Sequence, residues 1–490
     1  MMPGLEARVS TARSALVGRA LFLVLATVAL TAGSACSANR VLAPPGPVAN
    51  AFLDDVQHRT FGYFWELTNA SNGLTPDRAP TQSFSSVAAI GFALTAYPIG
   101  VERGYISRTE ARQRALTTLR FMYQAPQGPG ATGVTGYKGF YYHFLDMQTG
   151  LRFEQVELST IDTALLLAGA LFCGQYFDGT DTEEASIRAY ADSMYRRVDW
   201  KWAMNNTPRV TMGWKPESGF IVSDWRGYNE AMLLYVLALG SPTFPVEPAA
   251  WSAWTETYQW GSFHGQAHLG FAPLFGHQYS QTWIDFRGIR DAYMRGRGID
   301  YFENSRRATI SQRAYAIANP NQWKDYSATI WGLTAADGPK DTTMTLNGRQ
   351  RLFFTYSARG ATFNEVRDDG TIAPTAAGGS IAFAPEIAIP ALQAMRDKYG
   401  DNLYSTYGFL DSFNPTFDAD VRVQHGRVVR GVGWFDTDYL GIDQGPIIAM
   451  IENYRTGLVW REMREQPSII LGLRRAGFTG GWLDRAPGAP

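Results

Sequence analysis

The strongest constraint on this chain is an alternation between two kinds of helical segment. Phe84–Gly100, Ser159–Phe177 and Glu230–Gly240 are apolar on nearly every side. Phe52–Leu67, Arg108–Tyr123 and Thr182–Val198 each carry one apolar and one charged face, as Leu116, Leu119 and Met122 show in the second. A helix that is apolar all round must be covered on every side, whereas one with a polar face can lie at the surface. Alternating the two in hairpins puts an inner set of helices inside an outer set. That predicts an all-α fold, an (α/α)6-barrel. An α-solenoid would show a fixed repeat period, and the sequence has none. The long aromatic loops Tyr123–Glu157 and Ala335–Ala377 suit a barrel with a decorated mouth. Turn residues around Asp369–Gly370 predict a small β-hairpin in the second loop.

The first residues read as an address. Arg8, Arg13 and Arg19 precede the apolar run Ala20–Leu30, which is short for a bilayer span, and small residues follow it up to Cys36. Residues 1–36 are therefore expected to be a signal peptide. Cys36 resembles the acylated cysteine of a bacterial lipoprotein, although Gly33 stands where such signals usually have Leu, Val or Ile. Lipid tethering to a membrane and plain release into the periplasm are both open, and an uncleaved anchor is the third option. Residues 37–50 read as a Pro-rich tether, 51–480 as one catalytic domain and 481–490 as a tail. Cys173, in LLLAGALFCG, reads as a buried packing thiol rather than a nucleophile.

With 44 Lys+Arg against 45 Asp+Glu the chain has no basic footprint, so nucleic acid is not an expected partner. Two cysteines exclude a disulfide framework. His264 and His268 are four apart in FHGQAHLGF with His277 beyond, but Gly265 and Gly270 weaken a helix there and no HExxH occurs. No metal or cofactor is expected, and GxSxG and Walker patterns are absent from the sequence.

Acids recur where inner helices are expected to begin: Glu157 and Asp162 in ELSTIDTALLLAGAL, Glu230 in SDWRGYNEAMLLY, Asp285, Glu386 in FAPEIAIPAL and Asp443 in YLGIDQGP. Successive inner helices run the same way, so their first turns gather at one mouth. Each acid also has an ordinary explanation. Acids suit a first turn through the helix dipole. Ser159 with Asp162 is a capping-box pattern, Asp443 is a candidate N-cap, Arg287 could balance Asp285, and Glu386 follows Pro385 at N1. The argument for chemistry rests on their convergence beside loops rich in rings and amides. Tyr142, His143, Trp214, Trp225, Arg226, Tyr228, His277, Gln278, Tyr279, Glu386, Trp434, Asp443 and Gln444 are the expected lining of a sugar groove. About half of the loop aromatics are expected to fill the core instead. Paired carboxylates, one protonated and one ionised, are what glycoside hydrolysis requires. Burial beside Trp225 and Tyr228 suits Glu230 to the protonated role, and Glu157 could also fill it.

The strings FYYHFLDMQTGLRFEQVELSTIDTALLLAGAL, SDWRGYNEAMLLYVLALGS and APEIAIPAL resemble the bacterial glycoamylase-like family over about residues 51–475. The resemblance implies an (α/α)6-barrel related to endo-β-1,2-glucanases and to a domain of cyclic β-1,2-glucan synthases. It implies a β-glucan partner, most of all β-1,2-glucan, cut internally, and it points to Glu157, Asp162 and Glu230 as the catalytic positions. It leaves open which is acid and which is base, and also the choice of Glu157 or Asp162. The enzyme is expected to be an exported monomer. Two rival functions stay open: a polysaccharide lyase using Tyr228, His143 and Arg226, and a non-catalytic glycan-binding lipoprotein.

Overall fold

The computed structural model describes residues 47–488 except Asn347. The signal-peptide and Cys36 expectations, and residues 37–46 of the expected tether, lie outside the described residues. Residues 47–50 open a helix instead of a tether.

Among the described residues, twelve helices form two concentric rings: α1 (Pro47–Glu66), α2 (Val87–Glu102), α3 (Arg108–Gln124), α4 (Thr160–Tyr176), α5 (Thr182–Arg196), α6 (Met232–Gly240), α7 (Phe275–Trp283), α8 (Tyr301–Ala318), α9 (Pro374–Gly378), α10 (Pro385–Tyr399), α11 (Gly441–Arg455) and α12 (Pro467–Arg475). The inner ring is α2, α4, α6, α7, α9 and α11. It closes on itself because α11 packs against α2. Every residue of α6 is buried, as are nearly all those of α2 and α4. The amphipathic α1, α3 and α5 cover them, and α12 covers α6. The toroid is the expected one.

Two glycines set a close crossing of α2 and α4. A Cβ on Gly91 of α2 would lie 2.3 Å from the Leu165 carbonyl, and one on Gly169 of α4 would lie 2.0 Å from the Gly91 carbonyl. The helices therefore touch backbone to backbone. Trp283 of α7 fills the neighbouring space, stacking on Phe92 at 5.0 Å and donating its Nε1–H to Thr95 Oγ1 at 3.0 Å. Cys173 is buried on α4, its thiol donating to the Leu94 carbonyl at 3.0 Å, as a packing thiol should be.

Short strands crown the end where inner helices start, more of them than an all-α reading anticipates. A five-stranded antiparallel sheet runs through Gly136–Tyr137, Phe140–Tyr142, Leu158–Ser159, Gly213–Lys215 and Gly219–Phe220 in chain order. Ser85–Ser86 pairs with Phe144–Leu145, and Arg78–Ala79 pairs with Tyr439–Leu440. Three inner helices, α2, α4 and α11, thus leave directly from a strand, which fixes the direction of their first turns. The expected hairpin exists, but it joins Gly360–Thr362 to Glu365–Arg367 and turns at 363–364, ahead of Asp369. A second hairpin pairs Thr342–Leu346 with Arg349–Phe353. His264 and His268 lie in a third, formed by Trp260–Phe263 and Gln266–Leu269, so they do not share a helix face.

Candidate active site

The site begins with the strand pair that feeds α4. The His143 backbone N–H donates to the Glu157 carbonyl at 2.9 Å, which sets the two side chains next to each other. His143 Nδ1 then meets Glu157 Oε1 at 2.7 Å, and its Nε2 lies 3.6 Å from Asp162 Oδ2. Ser159 caps α4, accepting the Asp162 N–H at 3.2 Å, and its hydroxyl also donates to Asp162 Oδ2. Ser159 is thus the N-cap, as the capping-box reading expects, but the reciprocal bond from its backbone N–H to Asp162 is replaced by one from its hydroxyl, and the same carboxylate faces His143. The cap holds it in place.

Electrostatics divides these groups. Burial opposes charge on His143, but Asp162 and Glu157 outweigh it and hold its pKa up at about 9. The hydrogen bond from His143 outweighs burial at Glu157 and holds that carboxyl down at about 2. Glu230 is the opposite case. It ends the loop before α6, whose start is tied to α7: Ser280 Oγ donates to the Glu230 carbonyl at 2.8 Å and accepts the Leu233 N–H at 2.9 Å. Glu230 Oε2 is enclosed, and no donor among the described residues reaches it. Burial, with a smaller push from Asp162, raises its pKa to about 7. The Tyr279 phenol lies within electrostatic reach of Glu230, Asp162 and Asp443, so α4, α6, α7 and α11 present these groups to one space. Asp443 sits in the first turn of α11 and is itself raised to about 7 by burial, with Asp411 hydrogen-bonded to it and Asp337, Asp77 and Arg78 nearby.

The family model described as "Putative glucoamylase" matches residues 222–467. A crystal structure from Bacteroides uniformis bearing that same description is 31% identical, covers 89% of this chain and 98% of its own, and superposes with a TM-score of 0.76. The chain belongs to this glucoamylase-like family. The endo-β-1,2-glucanase from Chitinophaga pinensis, solved with sophorotriose and glucose, is 26% identical over 89% of this chain and 99% of its own, with a TM-score of 0.76. An exo β-1,2-glucooligosaccharide sophorohydrolase from Parabacteroides distasonis is 29% identical over 86% of this chain. The chain spans 57% of that relative's length.

The glucoamylase-like frame sorts the remaining expected residues. Trp214 is half-buried on the strand paired with Leu158, with its ring tilted against Tyr137 and edge-on to Trp202. Tyr142, Trp225, Tyr228, His277, Gln278, Trp434 and Gln444 are buried. Their polar atoms largely serve the frame. Trp225 Nε1–H donates to Thr160 Oγ1 at 2.9 Å and Trp434 Nε1–H to the His425 carbonyl at 2.7 Å. Gln278 ties α7 to the Ala376 carbonyl of α9 at 2.9 Å, and Gln444 reaches the Phe409 carbonyl at 2.9 Å. His277 is held neutral by burial, its pKa lowered to about 3. The expected division of rings between groove and core shifts toward the core.

Two acids are misplaced by sequence reasoning. Glu386 heads α10, an outer helix, and pairs with Arg306 at 2.5 Å, because the inner helix of that hairpin is the short α9. Asp285 follows the last turn of α7, at the end away from the mouth, and is held by Arg287 and Arg464. The three residues of the lyase reading are engaged separately. Arg226 is exposed and paired with Asp224, Tyr228 is buried against Tyr301, and His143 is held by Glu157. Sequence reasoning missed Asp77, Arg78 and Asp411 around Asp443. The one signal for Asp77 and Arg78 is that their strand pairs with the one entering α11, a relation across 360 residues.

Proposed function

We propose that the chain hydrolyses β-1,2-glucan, with Glu230 as the proton donor and an ionised carboxylate of the ELSTID segment as its partner. One observation carries this reading: a carboxyl raised to about 7 shares a mouth with a carboxylate held at about 2 by His143. Glycosidic cleavage needs that division of labour, one group able to give a proton to the leaving oxygen and one able to act as base or nucleophile. Glu230 is preferred to Asp443 as donor because its Oε2 is free of protein partners, whereas Asp443 is engaged by Asp411. The sophorohydrolase and endo-β-1,2-glucanase relatives support the substrate class. Internal cleavage is the mode of the endo-acting relative, which matches over 99% of its own length.

The test is incubation with soluble β-1,2-glucan, following new reducing ends and product size. A ladder of oligomers is expected; release of disaccharide alone would replace internal by end-wise cleavage. No new reducing ends after long incubation would overturn the hydrolase reading. Full activity in Glu230→Gln, or in both Glu157→Gln and Asp162→Asn, would overturn the assignment of the site.

Export belongs to the same proposal and rests on residues 1–36 of the sequence. Cell fractionation should place the protein in the envelope, and Cys36→Ser should release it from the membrane fraction. An unchanged distribution would remove the lipid tether.

A further inference from the structure

Beside Asp443, three carboxylates arrive from loops distant in sequence. Asp337 follows the Ala335–Ala336 strand, Asp411 follows Gly408–Phe409 and Asp436 follows Gly433–Phe435. Each offers an oxygen, and these lie within 4.8 Å of one another. All three residues are at most 1% exposed.

Their hydrogen bonding follows one pattern. Asp337 Oδ2 accepts from Arg78 Nη1 at 2.6 Å, Asp411 Oδ2 accepts the Asp337 N–H at 2.8 Å, and Asp436 Oδ1 accepts the N–H groups of Thr437 and Asp438 at 2.6 and 3.2 Å. The second oxygens of Asp337 (Oδ1) and Asp436 (Oδ2) are enclosed, and no donor among the described residues reaches them, while the Asp411 carboxyl has only that of Asp443 beside its free oxygen. A buried acceptor without a partner is costly, and more so when charged. Here two such carboxylates face a third whose remaining contact is another acid.

Charge tells the same story. Asp77, Asp438 and Asp443 add to the three. Against them stand Arg78, 3.5 Å from Asp77 and 3.7 Å from Asp438, and His425, 3.9 Å from Asp337. Nearby Arg359 is taken by Asp369. Even with His143, which also faces Asp77, these cations are fewer than the six acids. Hard oxygen donors with no thiolate or clustered imidazole suit an alkaline-earth ion. Calcium, with oxygens at about 2.3–2.6 Å, can touch donors up to about 5 Å apart. Magnesium usually keeps several waters and takes one or two carboxylates, so a buried cage of three carboxylates suits calcium better.

We infer that Asp337, Asp411 and Asp436 bind a calcium ion that pins three loops around the mouth. Its ligands do not include Glu157, Asp162 or Glu230, although the cluster adjoins them through Asp443 and Asp77. The expectation of no metal from sequence weighed clustered histidines, and it could not see three aspartates spread over about a hundred residues.

The test uses full-length protein stripped with EGTA and exchanged into metal-free buffer. Re-equilibration with calcium chloride followed by gel filtration should leave about one calcium per chain by elemental analysis, and calcium should raise Tm by ~2–4 °C over EGTA. Asp436→Asn and Asp411→Asn should each weaken calcium binding at least tenfold and remove the Tm response. Glu157→Gln should keep both. The wild-type titration decides the matter even if an aspartate variant fails to fold. No retained calcium together with equal Tm in calcium and EGTA would overturn the proposal, as would an undiminished response in both aspartate variants. An equal response to magnesium would overturn the choice of calcium. None of these readouts depends on hydrolysis.

Discussion

At the residue scale the mouth is organised by opposed proton affinities. Glu230 has its folded pKa raised from an ordinary carboxyl value to about 7, so stability from this group is present at low pH and lost as pH rises through 7. Glu230→Gln cannot ionise. It should therefore gain stability over wild type at pH 8 relative to pH 5, by about 1–3 kcal/mol in urea unfolding. A stability gap that stays constant with pH would show that Glu230 is not desolvated. The His143–Glu157 pair behaves differently, with signs that bracket a window. The histidine, raised to about 9, contributes fully below its unfolded value near 6.5 and loses that contribution as pH rises through 9. The glutamate, lowered to about 2, contributes above about 4.5 and loses it as pH falls through 2. His143→Gln should then cost about 1 kcal/mol near pH 5–6 and progressively less as pH rises from about 6.5 through 9, measured by denaturant titration at each pH. These local arrangements were partly legible. ELSTID announces a cap and a first-turn acid, and GYNE an acid against rings. What could not be read was the identity of the partner, because His143 reaches Glu157 through a strand pairing rather than through spacing.

At the scale of elements the decisive contact is the α2–α4 crossing. Gly91 and Gly169 let the two backbones meet, and α4 carries Asp162 in its first turn. Gly169→Ala must push the helices apart, since its Cβ would meet a carbonyl rather than a movable side chain. A loss of about 1–3 kcal/mol in unfolding free energy is expected, with a fall in kcat on β-1,2-glucan as Asp162 shifts relative to Glu230. Unchanged stability and activity would mean that the crossing is loose. The pairing of apolar with amphipathic segments made this layer order readable for α2, α4 and α6. It failed for α9, whose five residues Pro374–Gly378 are small and carry no apolar period, so the longer α10 was taken as inner and Glu386 with it. Hydrophobicity reports whether a helix is covered, and a short helix sheltered by its neighbours need not advertise that.

At the scale of the whole molecule the chain must close a ring, and its two ends bear unequally on function. The mouth lies where the inner helices begin. The opposite end includes the last turn of α7, and there the C-terminal segment is part of the structure rather than a free tail. Trp482 and Leu483 are buried, Trp482 Nε1–H donates to the Asp285 carbonyl at 2.7 Å, and Arg474 of α12 holds the carbonyls of Ala486 and Pro487 at 2.9 and 2.8 Å. The sequence expectation of a tail over 481–490 did not foresee a tryptophan packed against the ring. A chain ending at Gly480 keeps α12, and so keeps α6 covered, but loses that tryptophan. It should be destabilised by about 3–5 kcal/mol, the usual cost of deleting a buried Trp. Because the loss falls away from the mouth, the truncated enzyme should retain its product pattern on β-1,2-glucan at low temperature while its urea midpoint drops. Equal midpoints would show that the segment only rests on the ring. An altered product ladder at full folding would show that closure of the far end sets the geometry of the mouth.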